Sequence, residues 1–185
     1  MAAMSHAKHR PRKTLEDYLA LPDDVRAELI DGELYVTPSP VRGHQSTVGR
    51  LYSLILAHVD ARAAGYVGLS PLDVHLPSGD VVQPDLFFVA AAREDICREW
   101  VYGAPDLAIE VLSSARPERD RFVKRLLYER NGVREYWLVD PDERSVEVLR
   151  LEDTVYAPAG YFSGEQILIS HVLESLALPL PRIFL

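Results

Sequence analysis

The sequence holds a single cysteine, Cys97. An internal disulfide is excluded, and with no Cys/His cluster beside it a zinc site has no support. No apolar run is long enough to cross a bilayer. The amino terminus, MAAMSHAKHRPRK, is basic but lacks the apolar segment of a secretion signal. A cytoplasmic protein without membrane contact is the expectation. Cations are in deficit, with 20 Lys and Arg against 28 Asp and Glu, a net charge of −8. That disfavours binding nucleic acid through overall charge and leaves the task to local patches. Repeats, low-complexity tracts and interdomain linkers are also missing.

What remains is an ordinary globular composition. The chain has 185 residues, 48% hydrophobic and 26% charged, enough for one domain with a substantial core. We expect a disordered basic arm over 1–13 and a single domain over 14–185. Thr14 opens a short helix, with Asp17 placed for a capping box. AELIDGELYV (27–36) reads as a hairpin turning at Asp31-Gly32. Val48, Leu51, Tyr52, Ile55 and Leu56 recur at helical spacing between Val41 and about Arg62, with Gly65 as the stop. Strands are expected over 66–76, 81–90 and 105–112, and a short helical stretch near 94–100. A helix over 117–130 has Phe122, Val123, Leu126 and Leu127 as its core stripe and ends at Asn131-Gly132. VREYWLVD (133–140) and SVEVLRL (145–151) form a second hairpin. Weaker strands follow in 154–157 and 166–170, and the Pro-rich tail packs back on the core. This order describes an α/β domain with a mixed sheet and few helices.

Two acids interrupt the apolar strands. Asp85 lies in VVQPDLFFV (81–89) and Glu110 in PDLAIEVLSS (105–114). A buried carboxylate is costly unless it is paired, hydrogen-bonded or metal-bound. Strand alternation puts Glu110 on one face with Ala108 and Leu112, and Asp85 with Gln83 and Phe87. If the two strands are neighbours, the carboxylates converge, and such an oxygen pair suits Mg²⁺ or Mn²⁺. Asp120, Lys124 and Tyr128 share one face of the following helix, so Lys124 can be aimed at the acids. Together they form a hydrolytic kit in which a metal polarises a phosphate and a lysine orients or deprotonates water. The residues alone leave a plainer reading open. Asp85 can sit at a strand opening, Glu110 can pair with an arginine such as Arg121, and Lys124 can be a surface partner of Asp120. The seven basic residues between Ser113 and Arg134 can likewise form a solvated helix face with internal ion pairs.

ELIDGELYV, PSP followed by His44, PLDV, VVQPDLFFV, APDLAIEVLSS, RDRFVKRLLYE and GVREYWLVD, in this order and spacing, resemble the Uma-two family of restriction endonucleases in the PD-(D/E)XK nuclease superfamily. The resemblance runs from about Leu29 to the carboxyl terminus. It implies the restriction-endonuclease-like fold, with a central mixed sheet flanked by helices, and Asp85 and Glu110 as metal-binding acids. The superfamily's plain signature has lysine two residues after the acid, where this chain has Leu112. The resemblance implies a migrated lysine, Lys124, supplied by the helix. Glu28 matches a family glutamate that can take a third oxygen role, or it is a cross-strand surface residue opposite Tyr35. His44 contacts phosphate or the acids, or is structural. Tyr128 hydrogen-bonds in the site or simply packs. Tyr136 and Trp137 read as core residues, and Asp73 as a turn or sheet-end residue.

The function expected is metal-dependent DNA hydrolysis, with Asp85 and Glu110 holding the ion, the Val111 carbonyl as a further oxygen, and Lys124 on the attacking water. A homodimer would let two sites cut both strands. One rival is a catalytically silent nucleic-acid- or protein-binding module on the same fold. A weaker one is a glycosidase using the two acids, which leaves Lys124 without a task.

Overall fold

The computed structural model describes residues 11–22, 24–113 and 118–184. Residues 1–10 of the expected arm, Arg116 of the basic run and Pro117 at the expected helix start lie outside the described residues. Within residues 11–13, the Lys13 N–H donates to the Gly32 carbonyl at 2.7 Å.

Thr14 caps α1 (Leu15–Leu19) through the expected box: its hydroxyl accepts from the Asp17 N–H, and the Asp17 carboxylate accepts from the Thr14 N–H. β1 (Ala27–Ile30) and β2 (Glu33–Val36) pair with Glu28 opposite Tyr35. Asp31 at φ 51° and Gly32 at φ 76° make the tight turn. α2 (Arg42–Asp60) buries Val48, Leu51, Ile55 and Val59. Gly65 does not stop this helix. The helix ends at Asp60, the left-handed residue is Ala63, and Gly65 opens β3 (Gly65–Leu69). There a side chain is forbidden by contact, because a Cβ would meet the Val89 carbonyl oxygen at 2.1 Å.

Two expected strands each split in two. The 66–76 run becomes β3 and β4 (Val74–His75), and the 81–90 run becomes β5 (Val81–Val82) and β6 (Leu86–Ala90). The second break is Gln83-Pro84-Asp85, where proline has no N–H to give a ladder. The halves belong to different sheets. Then follow a 3₁₀ turn at Ala91–Ile96, earlier in the chain than the helix expected near 94–100, and β7 (Val101–Tyr102). β8 is Leu107–Val111, β9 Glu135–Asp140, β10 Ser145–Glu152 and β11 Val155–Ser163. β12 (Ile167–Ile169) and β13 (Ala177–Pro179) form a separate ribbon.

The larger sheet runs β11-β10-β9-β8-β6-β3 and is mixed, with β8 and β9 parallel. The smaller runs β2-β1-β5-β4-β7. Alternation along β8 sorts the core: Leu107, Ile109 and Val111 face α2 and the tail residues Leu178, Leu180 and Ile183. Ala108 and Leu112 face Leu127, Tyr128, Val74 and Val82. Tyr136 and Trp137 are core residues as expected, one on each face. Among the described residues, no helix is long and apolar enough to cross a membrane.

The helix after β8 corrects the sequence reading most sharply. It starts as a π-helical turn, Arg119–Lys124, and continues as α3 (Arg125–Arg130). Phe122 is 63% exposed and Leu126 59%, so they are not core. Leu127 is buried as expected and Val123 packs against the core, while Asp120, Lys124 and Tyr128 are buried in place of Phe122 and Leu126. The reason is electrostatic. Leaving buried carboxylates on β1 and β8 without a cation costs several kcal/mol per ion. Exposing an apolar side chain forfeits about 1.5–3 kcal/mol.

Candidate active site: a lysine among buried carboxylates

Glu110 sits inside β8, 3% exposed. Asp85 does not lie within a strand. It occupies the bend before β6, with its side chain 20% exposed. β6 and β8 are antiparallel neighbours, with Leu86 opposite Ile109. One further step in that register brings Asp85 opposite Glu110. The Val111 N–H donates to Asp85 Oδ2 at 2.8 Å, and His44 Nε2, in the first turn of α2, lies 3.1 Å from the same oxygen.

Lys124 projects from the π-helical turn between two acids. Its Nζ is 2.7 Å from Glu110 Oε1 and 2.9 Å from Glu28 Oε1, and 4.0 Å from Asp120 Oδ1. The Tyr128 hydroxyl donates to Glu110 Oε1 at 2.7 Å. Glu28, on β1, is buried rather than on the surface, and its Oε1 also accepts from the Gln83 N–H at 2.9 Å. Arg119 pairs with Glu28 Oε2, its guanidinium 5.6 Å from the Tyr35 ring centre. Glu110 therefore does not pair with Arg121, whose partners are Asp140 and Glu147. Asp73 accepts from the Tyr18 hydroxyl and from Gln83 Nε2. The structure brings Asp85, Glu110, Lys124, Glu28, His44 and Tyr128 into one connected cluster. It adds Arg119, Gln83 and Asp120. Arg119 and Gln83 meet Glu28 across separations of 91 and 55 residues, which no local pattern announces.

A family model described as "Putative restriction endonuclease", Uma2 (Uma-two), matches residues 15–181. The chain belongs to the Uma2 family. No curated protein sequence matches it. A solved structure described as "a putative nuclease belonging to DUF820", from Anabaena variabilis, superposes with a TM-score of 0.76 at 23% identity. The superposition covers 92% of this chain and 97% of that one. The fold is the restriction-endonuclease-like α/β fold, with large mixed sheets and few helices, and the Uma2 cluster sits where the two sheets meet α3.

Charge in this Uma2 site is unbalanced. Four carboxylates (Asp85, Glu110, Glu28, Asp120) surround two permanent cations, Lys124 and Arg119. Burial, joined by the charges of Asp85, Asp120 and Glu28 and opposed by Lys124, raises the Glu110 carboxyl above the ordinary carboxylate range. Burial alone would lower Lys124, but Glu110, Glu28 and Asp120 reverse this and raise it, so it stays cationic. Burial and Glu110 raise Tyr128 well above the ordinary range, keeping its hydroxyl a donor. For His44, burial opposes the charged form, but Asp85 and the Val111 carbonyl prevail and its pKa rises.

Among the described residues, no three His, Cys, Asp or Glu side chains converge as a ready metal shell. Asp85 and Glu110 each commit one oxygen, Oδ2 and Oε1, to protein partners. Their other oxygens accept no hydrogen bond from the described residues. Two hard oxygens without a protein donor, in a carboxylate-rich cluster, are the donor type that suits a small divalent cation completed by water and substrate oxygens.

Proposed function

We propose that this protein is a metal-dependent endonuclease that hydrolyses DNA phosphodiester bonds. The observation that carries the reading is the buried Lys124 ammonium, 2.7 Å from Glu110 Oε1 beside the end of β6 that bears Asp85. Asp85 and Glu110 would hold Mg²⁺ or Mn²⁺ through Oδ1 and Oε2. When bound, such an ion supplies Lewis acidity at the phosphate and lowers the pKa of water.

The chain's own groups do the rest. Lys124 is held charged, so it acts as a donor. It orients the attacking water and offsets negative charge as it builds on the phosphate. Glu28 and Tyr128 are positioning residues: Glu28 fixes the lysine, and Tyr128 fixes the Glu110 rotamer. His44 and the Val111 N–H hold Asp85 Oδ2, and Oδ1 accepts no hydrogen bond from the described residues.

The test is cleavage of supercoiled plasmid and of single-stranded DNA with Mg²⁺, Mn²⁺ or EDTA, using wild type, Asp85→Ala and Glu110→Ala. Metal-dependent cutting by wild type and none by either folded variant supports the reading. Undiminished cutting by both variants refutes the site.

A further inference from the structure

Arg26 is a half-buried guanidinium with no anionic partner among the described residues. It continues the β1 ladder by one residue, its carbonyl accepting from the Thr37 N–H at 2.9 Å. Strand alternation puts it on the same face as Glu28, about 6.6 Å along the strand. Its Nη2 donates to Ser70 Oγ at 2.6 Å, and the Ser70 N–H in turn donates to the Asp85 carbonyl at 3.2 Å. Its Nε is buried and has no hydrogen-bond partner among the described residues. No carboxylate there lies within ion-pair distance of it, whereas Arg119, Arg121 and Arg130 are all neutralised by acids. A partly buried cation is costly unless an anion offsets its charge.

We propose that Arg26 is a phosphate-binding residue, its guanidinium taking a backbone phosphate of the nucleic-acid strand that enters beside Asp85. The inference rests on the DNA-hydrolysing reading of the site and deepens it. A polyanion approaching a chain of net charge −8 and a carboxylate-rich pocket needs a local cation, and the planar guanidinium suits phosphate oxygens.

The experiment is fluorescence anisotropy of a short fluorescein-labelled DNA duplex in Ca²⁺, titrated over a range of salt concentrations. Each phosphate contact contributes about 0.9 to the slope of log affinity against log salt. Arg26→Gln is expected to bind several-fold more weakly, with a slope shallower by about 0.9. Arg26→Lys keeps the charge and is expected to keep the slope. Ser70→Ala removes the hydrogen-bond partner, leaves the guanidinium, and is expected to bind with the wild-type slope.

Wild-type affinity and slope in Arg26→Gln would overturn the proposal. So would a shallower slope in Arg26→Lys, a readout that stands if Arg26→Gln fails to fold, or a Ser70→Ala loss equal to that of Arg26→Gln, which would mark a structural role. If Arg26→Gln binds like wild type while plasmid cleavage still requires Asp85, only the phosphate contact falls. If wild type neither binds nor cuts DNA, both readings fall.

Discussion

Lys124 Nζ stands 2.7 Å from Glu110 Oε1, and both groups are nearly sealed from water. The pair decides which way the helix after β8 faces. Removing the lysine leaves Glu110 and Glu28 buried without their shared cation, a defect that costs about 3–5 kcal/mol. Lys124→Met is expected to lose stability of that order at neutral pH in denaturant unfolding. Because the residues touch, Lys124→Met with Glu110→Gln should be less destabilised than the sum of the single changes. Additive losses would show that the contact is not coupled.

The same inversion makes a prediction about apolar residues. Phe122 and Leu126 are exposed, so Phe122→Gln and Leu126→Gln are expected to change stability by less than about 0.5 kcal/mol. Leu127 is 1% exposed, and Leu127→Ala should cost about 2–5 kcal/mol. Thermal melts of the Phe122 and Leu126 variants distinguish this arrangement from the core stripe that the sequence pattern suggests, with Leu127→Ala, buried in both, as the reference.

That contrast shows what was legible in the sequence. The capping box at Thr14, the hairpin at Asp31-Gly32 and the course of α2 follow from local spacing and turn chemistry, whereas the approach of Asp85 to Glu110 depends on β6 pairing with β8. The facing of α3 is not legible locally either, because Lys124 is shared between Glu110 and Glu28, and Glu28 lies far away in sequence on β1. The splits at Ser70–Asp73 and at Gln83–Asp85 were hidden for a related reason. Pro71 and Pro84 mark both breaks, but which sheet a segment joins is fixed by partners such as Leu29 opposite Val81, not by its own composition. Asp85 consequently opens β6 rather than interrupting a strand.

Acid stability should carry the signature of Asp80. Burial works against its charged form, but Ser78, the Asp31 N–H and Arg130 hold its carboxyl below the ordinary value of 3.8. With the folded pKa below the unfolded one, the unfolded chain binds more protons, so stability rises with pH in that range. The contribution is complete above the unfolded value and is lost as pH falls through the folded one. Asp80→Asn should be less stable than wild type at neutral pH, with the gap narrowing below pH 3.8. Chemical unfolding across an acid pH series checks this, and a gap that stays constant would refute it.

The central claim is that Asp85 and Glu110 together hold a divalent ion beside Lys124. Isothermal titration of Mn²⁺ into wild type, Asp85→Asn and Glu110→Gln tests it without depending on substrate. The expected result is one saturable site in wild type that is lost or greatly weakened in both variants while each remains folded. Equal Mn²⁺ binding by all three proteins would contradict the account.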